Sequence, residues 1–337
     1  MRDRNGIKFF GSHTVIGILN ENKLFDLKYI KENGGRLPPY IIAVGDRRRV
    51  WKAKNLLEEF VLLDEEAVKA FGLDFAGRVA VAIGKFKGVP VCIFETQMGC
   101  PATQINANEI LYFSDDEGYF VDGDRVVSDG IYIIRVGTCA GINAGDNVAP
   151  VLEIGDVVIS ERSFGSVGAI LQSYIGKINF LDGVERKDII SSRLVKEAIS
   201  LDGRDRTLMA EESEVIISSL KTHAENKRIR YFVGNDFTKD SLYAELSEED
   251  FVFLRKNYGV IITEMEQLSI DALAAVYRNA GIPVHSGLIS SVVGVIPGKS
   301  FPDKEEEFRK VERAEQNSLE IALNALYSIA KSKNRGL

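Results

Sequence analysis

Short apolar runs alternate with amphipathic stretches along most of the chain. Tyr40-Ile-Ile-Ala-Val-Gly45 is a continuous apolar run ending in glycine, the pattern of a strand buried on both faces. Asp46 stands next to it as a helix cap, which predicts a helix through 50–59. Runs at 78–83 and 89–96, separated by Gly-Lys-Phe-Lys-Gly, predict a hairpin. A helix is expected at 103–113, a polar surface excursion at 114–129, and a strand at 130–136 leading into a turn at Gly137–Gly141. Further strands are expected at 151–160, 229–233, 260–262 and 284–289. Met265, Leu268, Ala272 and Val276 carry helical spacing through 264–279. Residues 304–333 read as one long helix, with Glu305, Glu306 and Glu307 suiting its N-terminal dipole and Lys331 and Lys333 its other end. The segment 161–228 gives no readable pattern. The double proline at 38–39 separates an N-terminal arm, 1–39, from a single domain, 40–335. Strands alternating with helices predict a three-layer α/β/α fold around a central mixed, largely parallel sheet.

Composition narrows the picture. The chain has 337 residues, 45% of them hydrophobic and 27% charged, so it buries a proper core and is not disordered. No apolar run approaches membrane-spanning length, and the start lacks the apolar stretch of a signal peptide, so a cytoplasmic protein is expected. Three cysteines and three histidines form neither a disulfide framework nor a zinc site, and no metal is expected. A formal net charge of −7 argues against a general nucleic-acid partner.

Four segments could carry chemistry. Gly45-Asp46-Arg47-Arg48-Arg49 lies where a strand meets a helix, a place where backbone N–H groups and a guanidinium can hold an anion. The plain alternative is a capped helix with a solvated basic first turn. In Arg135-Val136-Gly137-Thr138, an arginine interrupts an apolar strand and must be paired either with an internal acid or with a ligand anion. Gln97-Met98-Gly99-Cys100-Pro101 is a glycine-containing turn before a helix. Glu264-Met265-Glu266 ends a strand at a helix start; one carboxylate could hold vicinal sugar hydroxyls, or both could simply complement the helix dipole.

Together, in this order and spacing, these segments resemble the nucleoside phosphorylase family, which includes purine nucleoside phosphorylase and uridine phosphorylase. The resemblance runs over 40–330. It implies phosphate binding by Gly45, Arg49, Arg135 and Thr138, and ribose binding by Met98, Met265 and Glu266, with Arg49, Arg135 and Glu266 as the catalytic set. Lys69 is the cation available where the family takes an arginine from a neighbouring subunit, and His13 is nearest to where it places a partner's ribose histidine. Tyr243, Ser290 and Ser291 fall where the base is read, although neither the Asp nor the Arg that the family carries after the last strand is present in Leu288–Gly294. The implied reaction is phosphate-dependent cleavage of the N-glycosidic bond of a purine or uridine-type nucleoside to free base and ribose 1-phosphate. Inorganic phosphate is then the co-substrate and no other cofactor is needed. A homo-oligomer is implied, a dimer in preference to a hexamer. The competing readings are a catalytically weak or inactive nucleoside- or phosphate-binding homologue, and a nucleoside hydrolase of the same fold.

Overall fold

The computed structural model describes residues 2–4, 7–9, 31–64, 66, 69, 79–121, 124–145, 149–165, 195–200, 206–240, 246–299 and 301–334. The strands are β1 (Arg2–Arg4), β2 (Ile7–Phe9), β3 (Tyr40–Val44), β4 (Glu58–Leu63), β5 (Val81–Phe86), β6 (Val89–Glu95), β7 (Gly118–Val121), β8 (Asp124–Val127), β9 (Ile131–Ile142), β10 (Val157–Gly165), β11 (Val195–Ser200), β12 (Arg206–Glu211), β13 (Tyr231–Thr238), β14 (Val260–Glu264) and β15 (Val284–Ile296). The helices are α1 (Arg47–Lys52), α2 (Cys100–Phe113), α3 (Glu214–Lys227), α4 (Glu248–Tyr258), α5 (Gln267–Asn279) and α6 (Glu305–Lys333).

β3 pairs in parallel with β6 and β9, and β9 pairs in parallel with β15. β10, β13 and β14 are parallel neighbours. β14 returns to β9 and β15 to β10, both antiparallel, so β9, β15, β10, β13 and β14 close into a five-stranded ring. The antiparallel pairs β4–β5 and β5–β6 extend the sheet at one end, and β11–β12 at the other. Closure removes edges within the ring, and among the described strands β4 and β11 are left as the outer edges of the sheet.

Alternation along β3 and β9 divides the core into two layers. Tyr40, Ile42, Val44, Tyr132, Ile134 and Val136 pack under α1, α3 and α6. Ile41, Ala43, Ile131 and Ile133 pack under α2 and α5. The result is the three-layer α/β/α arrangement. Buried Ala314, Ser318, Leu319, Ala322, Leu326 and Ile329 form the inner stripe of α6 at helical spacing.

Several boundaries differ from the sequence reading. β9 does not turn at Gly137 but continues to Ile142, and its glycines serve clearance. A Cβ on Gly137 would lie 2.2 Å from Arg135 Nη1, and one on Gly141 would lie 2.9 Å from Leu152 Cβ. The helix expected at 50–59 is α1 and one 3-10 turn, after which the chain becomes β4 and pairs with β5. The 114–129 excursion contains the β7–β8 hairpin. The strand expected from 151 begins at Val157, past a turn with Gly155 at φ +93. α3 and α4 were not anticipated. Of the arm at 1–39, only 2–4, 7–9 and 31–39 are described.

Candidate active site

The chemistry-bearing segments meet beside the middle of β9: β3 and β6 end level with Val136, and β14, antiparallel to β9, runs back toward it and ends at Glu264. Thr96 N donates to Val44 O at 2.7 Å, which holds the start of the Gln97–Gly99 turn against the end of β3. Gly99, at φ +85, is the N-cap of α2, and its backbone N–H donates to Glu266 Oε1 at 2.7 Å. Cys100 Sγ donates to Met265 O, and Ser269 Oγ to Cys100 O. The Gly-containing turn and the Glu-Met-Glu segment are therefore stitched together.

Arg135 joins them from β9. It is buried, its Nη2 donates to Glu266 Oε2, and its Nη1 lies 2.9 Å from Glu264 Oε2. The guanidinium fits because Gly137 leaves the space over the strand empty. Its Nε is buried without a hydrogen-bond partner. Glu264 also accepts from the backbone N–H groups of Glu266 (2.7 Å) and Gln267 (2.9 Å), the free donors at the start of α5. Burial raises Glu266 above the ordinary carboxylate range, with Arg135 opposing the shift. Glu266, Glu264 and Arg135 form one compact buried cluster.

Arg49 belongs to a different group. α1 is capped by Asp46, which accepts from Arg48 N at 2.9 Å. Arg49 Nε and Nη2 both donate to Glu315 Oε1 of α6, at 3.2 and 2.7 Å, and Lys52 Nζ donates to Glu315 Oε2 at 3.0 Å. Arg49 Nη1 lies over Gly45, 3.4 Å from where a Cβ would stand. Arg47 and Arg48 also face acids, Glu95 and Asp46. The expectation that Arg49 and Arg135 offer open donors to one anion thus differs from the geometry. Each guanidinium is closed on carboxylates of its own, and the two sit in different layers.

The remaining residues sort accordingly. Regular alternation places Thr138, half-buried, on the Val136 side of β9, opposite to Arg135. Ser291 also faces the α6 layer, its Oγ 3.2 Å from Ser318 Oγ. Ser290 points the other way, buried against the Cys139 thiol, so the two serines do not share one surface. Met98 is 74% exposed on the Gln97–Gly99 turn, and Met265 is half-buried. Lys69 is exposed. His13 and Tyr243 lie outside the described residues. Among the described residues, no group of three or more His, Cys, Asp or Glu side chains could hold a metal, and no helix is long and apolar enough to cross a membrane.

Two residues escaped the sequence reading. Glu315 carried a faint signal, an acid beside the buried Ala314 on the inner flank of α6. Asp236 carried another, an acid inside the strand YFVGNDFT. Arg49 and Lys52 hold Glu315 below the ordinary range against its desolvation. A depressed carboxylate contributes stability that is present above its unfolded value of 4.5 and lost as the pH falls through its folded value. Glu315→Gln is therefore expected to cost ~2 kcal/mol at neutral pH. Unfolding curves from pH 7 down to 3 should show that difference closing.

A family model described as the phosphorylase superfamily matches residues 39–326. The chain belongs to the phosphorylase superfamily. Among superfamily relatives, it is 27% identical over 201 residues to the DeoD-type purine nucleoside phosphorylase of Oceanobacillus iheyensis, covering 60% of this chain and 64% of that one. The corresponding protein of Clostridium novyi is 26% identical over 58% of this chain and 61% of its own. That of Listeria welshimeri is 26% identical over 76% and 84%. The chain thus spans somewhat less than two thirds of the first two relatives' lengths. The fold is shared with a purine nucleoside phosphorylase from Toxoplasma gondii (TM-score 0.57, 18% identity, 88% of this chain and 93% of that one). It is equally shared with a uridine phosphorylase structure from Phytophthora capsici (TM-score 0.57, 19% identity, the same coverage).

Proposed function

We propose that this superfamily member is a nucleoside phosphorylase, cleaving the N-glycosidic bond of a purine or uridine-type nucleoside with inorganic phosphate. The observation that carries the reading is Glu266 held between Gly99 N–H and Arg135, at the meeting of three of the four motif segments. A carboxylate fixed in this way, beside a buried guanidinium with an unused Nε–H, suits a sugar diol next to an oxyanion. In the reaction, a phosphate oxygen attacks the anomeric carbon. The carbon–nitrogen bond breaks with its electron pair leaving on the base, and the base takes up a proton. Arg135 would balance the phosphate charge, Glu266 would fix the sugar hydroxyls, and Met98 and Met265 would line the pentose. Positioning and preorganised charge would supply most of the rate. Gly45, Arg49 and Thr138 would complete the anion site from the other layer, which requires Arg49 to turn from Glu315. Lys69, His13 and Tyr243 are carried as partner, ribose and base contacts by resemblance alone. A cytoplasmic homodimer using no cofactor besides phosphate completes the proposal.

A second reading, a nucleoside- or phosphate-binding homologue with little turnover, is favoured by one observation: Arg49 and Arg135 are both occupied by carboxylates. The test is base release from inosine and from uridine, with and without phosphate. Release that requires phosphate is expected. Release without it would select hydrolysis, and binding without release would select the second reading.

A further inference from the structure

Behind the Arg135 cluster, β13 carries an acid into the interior of the five-stranded ring. Asp236 is fully buried. Its register partner on β14 is Ile262, and Thr238 stands opposite Glu264. Thr238 Oγ1 lies 2.6 Å from Glu264 Oε1 and 3.2 Å from Asp236 Oδ2, and it accepts from Leu268 N at 3.1 Å. A threonine hydroxyl has one proton and two lone pairs. The short contact assigns that proton to Glu264. One lone pair goes to Leu268 N–H, which leaves the second for a donor on Asp236. Asp236 Oδ1 has no donor, and the other side-chain contact of this carboxyl is with the Glu264 carboxyl, which offers it no proton. An ionised Asp236 would therefore be a buried carboxylate with no proton to accept, an arrangement that proteins avoid.

We propose that Asp236 sits in the folded protein as a neutral carboxylic acid that donates to Thr238. Thr238 in turn donates to Glu264, and this chain fixes Glu264 on Arg135 and on the first N–H groups of α5. Asp236 is then a positioning residue for Glu266, whose own backbone N–H is held by Glu264. Without this chain, Glu264 is free to rotate away from Arg135, and the guanidinium is shared differently between the two glutamates. The groups facing Asp236 agree with its neutral form. Glu264 from β14, and Glu212 from the segment before α3 in its ionised form, disfavour a second negative charge, although burial raises Glu212 itself; Arg135 from β9 opposes them. The Cys139 thiol of β9 is itself pushed up to about 12 by burial and carries no charge. Burial and these neighbours hold Asp236 well above the ordinary carboxylate range.

The protonation state is independent of the catalytic reading; its consequence for Glu266 rests on that reading. Asp236→Asn keeps the shape and the donor, Asp236→Leu removes both, and Thr238→Val breaks the chain in the middle. A carboxyl raised on folding contributes stability that is present below its unfolded value of 3.8 and lost as the pH rises through its folded value. The Tm of Asp236→Asn should therefore gain on wild type as the pH goes from 5 to 9, by about 2 °C or more. Infrared difference spectra at neutral pH should show one un-ionised carboxylic-acid component lost between wild type and Asp236→Asn, above the band of other buried acids such as Glu212, which burial also raises. Inosine- or uridine-induced stabilisation should survive in Asp236→Asn and weaken about ten-fold in affinity in Thr238→Val and Asp236→Leu. A constant or narrowing Tm gap, or an unchanged carboxylic-acid band, would overturn the neutral state. Equal loss of nucleoside binding in Asp236→Asn and Asp236→Leu would overturn the positioning role. A wild type that binds neither nucleoside would defeat the functional reading, while the infrared band still decides the state of Asp236.

Discussion

Arg135→Ala is expected to be the most damaging single substitution in the molecule. It leaves Glu264 and Glu266 buried side by side with no positive partner, and an uncompensated buried charge costs about 3–5 kcal/mol. The loss is largest at neutral pH and shrinks as the pH falls, because Glu266, which burial raises, takes up a proton and no longer strands a charge. Arg135→Lys should recover only part of it, since an ammonium is a point charge and cannot offer two parallel nitrogens to two acids. Turnover should fall by at least ~10²–10³-fold in the alanine variant, the size of effect seen when one fixed charge-stabilising donor is removed. Denaturant unfolding between pH 5 and 8, measured alongside base release, checks both parts. A variant with wild-type stability would mean that the two glutamates are not charged against Arg135.

Glu266→Ala is expected to act on function more than on stability. Its carboxylate ties the Gly99 turn to α5, and removing it frees one backbone N–H and one guanidinium nitrogen. Glu264 keeps Arg135 paired, so the fold survives. The expected loss is ~10²-fold in kcat/KM, the equivalent of two or three kcal/mol of charge-assisted hydrogen bonding. Glu266→Gln should lose nearly as much, because its amide NH2 would face the Arg135 Nη2–H. Glu266 is raised by burial, so activity should fall on the acid side at a pH above the ordinary glutamate range. Stability moves the other way: what this carboxyl contributes is present at low pH and lost as the pH rises through its folded value. Steady-state kinetics on inosine and uridine across pH separate the two, and an unchanged kcat/KM in Glu266→Ala would remove the residue from the sugar site.

The parts of this fold that were legible in the sequence are those where a local pattern and a local cause coincide. Tyr40–Val44, the Asp46 cap, the 81–95 hairpin, α2 and α6 all have their periodicity and their stop signals within a few residues. β9 was cut short because Gly137 and Gly141 resemble turn residues. Their role is to clear Arg135 and Leu152, which are contacts made by the fold and not by the neighbouring sequence. β15 was shortened for a related reason: Ser290, Ser291 and Gly294 interrupt its apolar run, and only pairing with β9 extends it to Ile296. α4 carries a start signal, the Ser247–Asp250 capping box, and an end signal at Gly259, both passed over in the sequence reading. The site was legible as residue types in order but not as partners. That Arg135 takes Glu264 and Glu266, and Arg49 takes Glu315 from 266 residues away, depends on which strand lies beside which. The sequence shows a buried arginine that needs an acid or an anion. Only the packing shows that acids already answer both arginines.

The most direct test follows the bond that phosphorolysis forms. Phosphorus NMR of the protein with inorganic phosphate and inosine, and separately uridine, reads the pentose 1-phosphate itself. The expected result is a new phosphate-ester resonance that grows with time in wild type and is absent in Arg135→Ala. Free base accumulating while the phosphate resonance stays unchanged, or no product from either nucleoside, would contradict it.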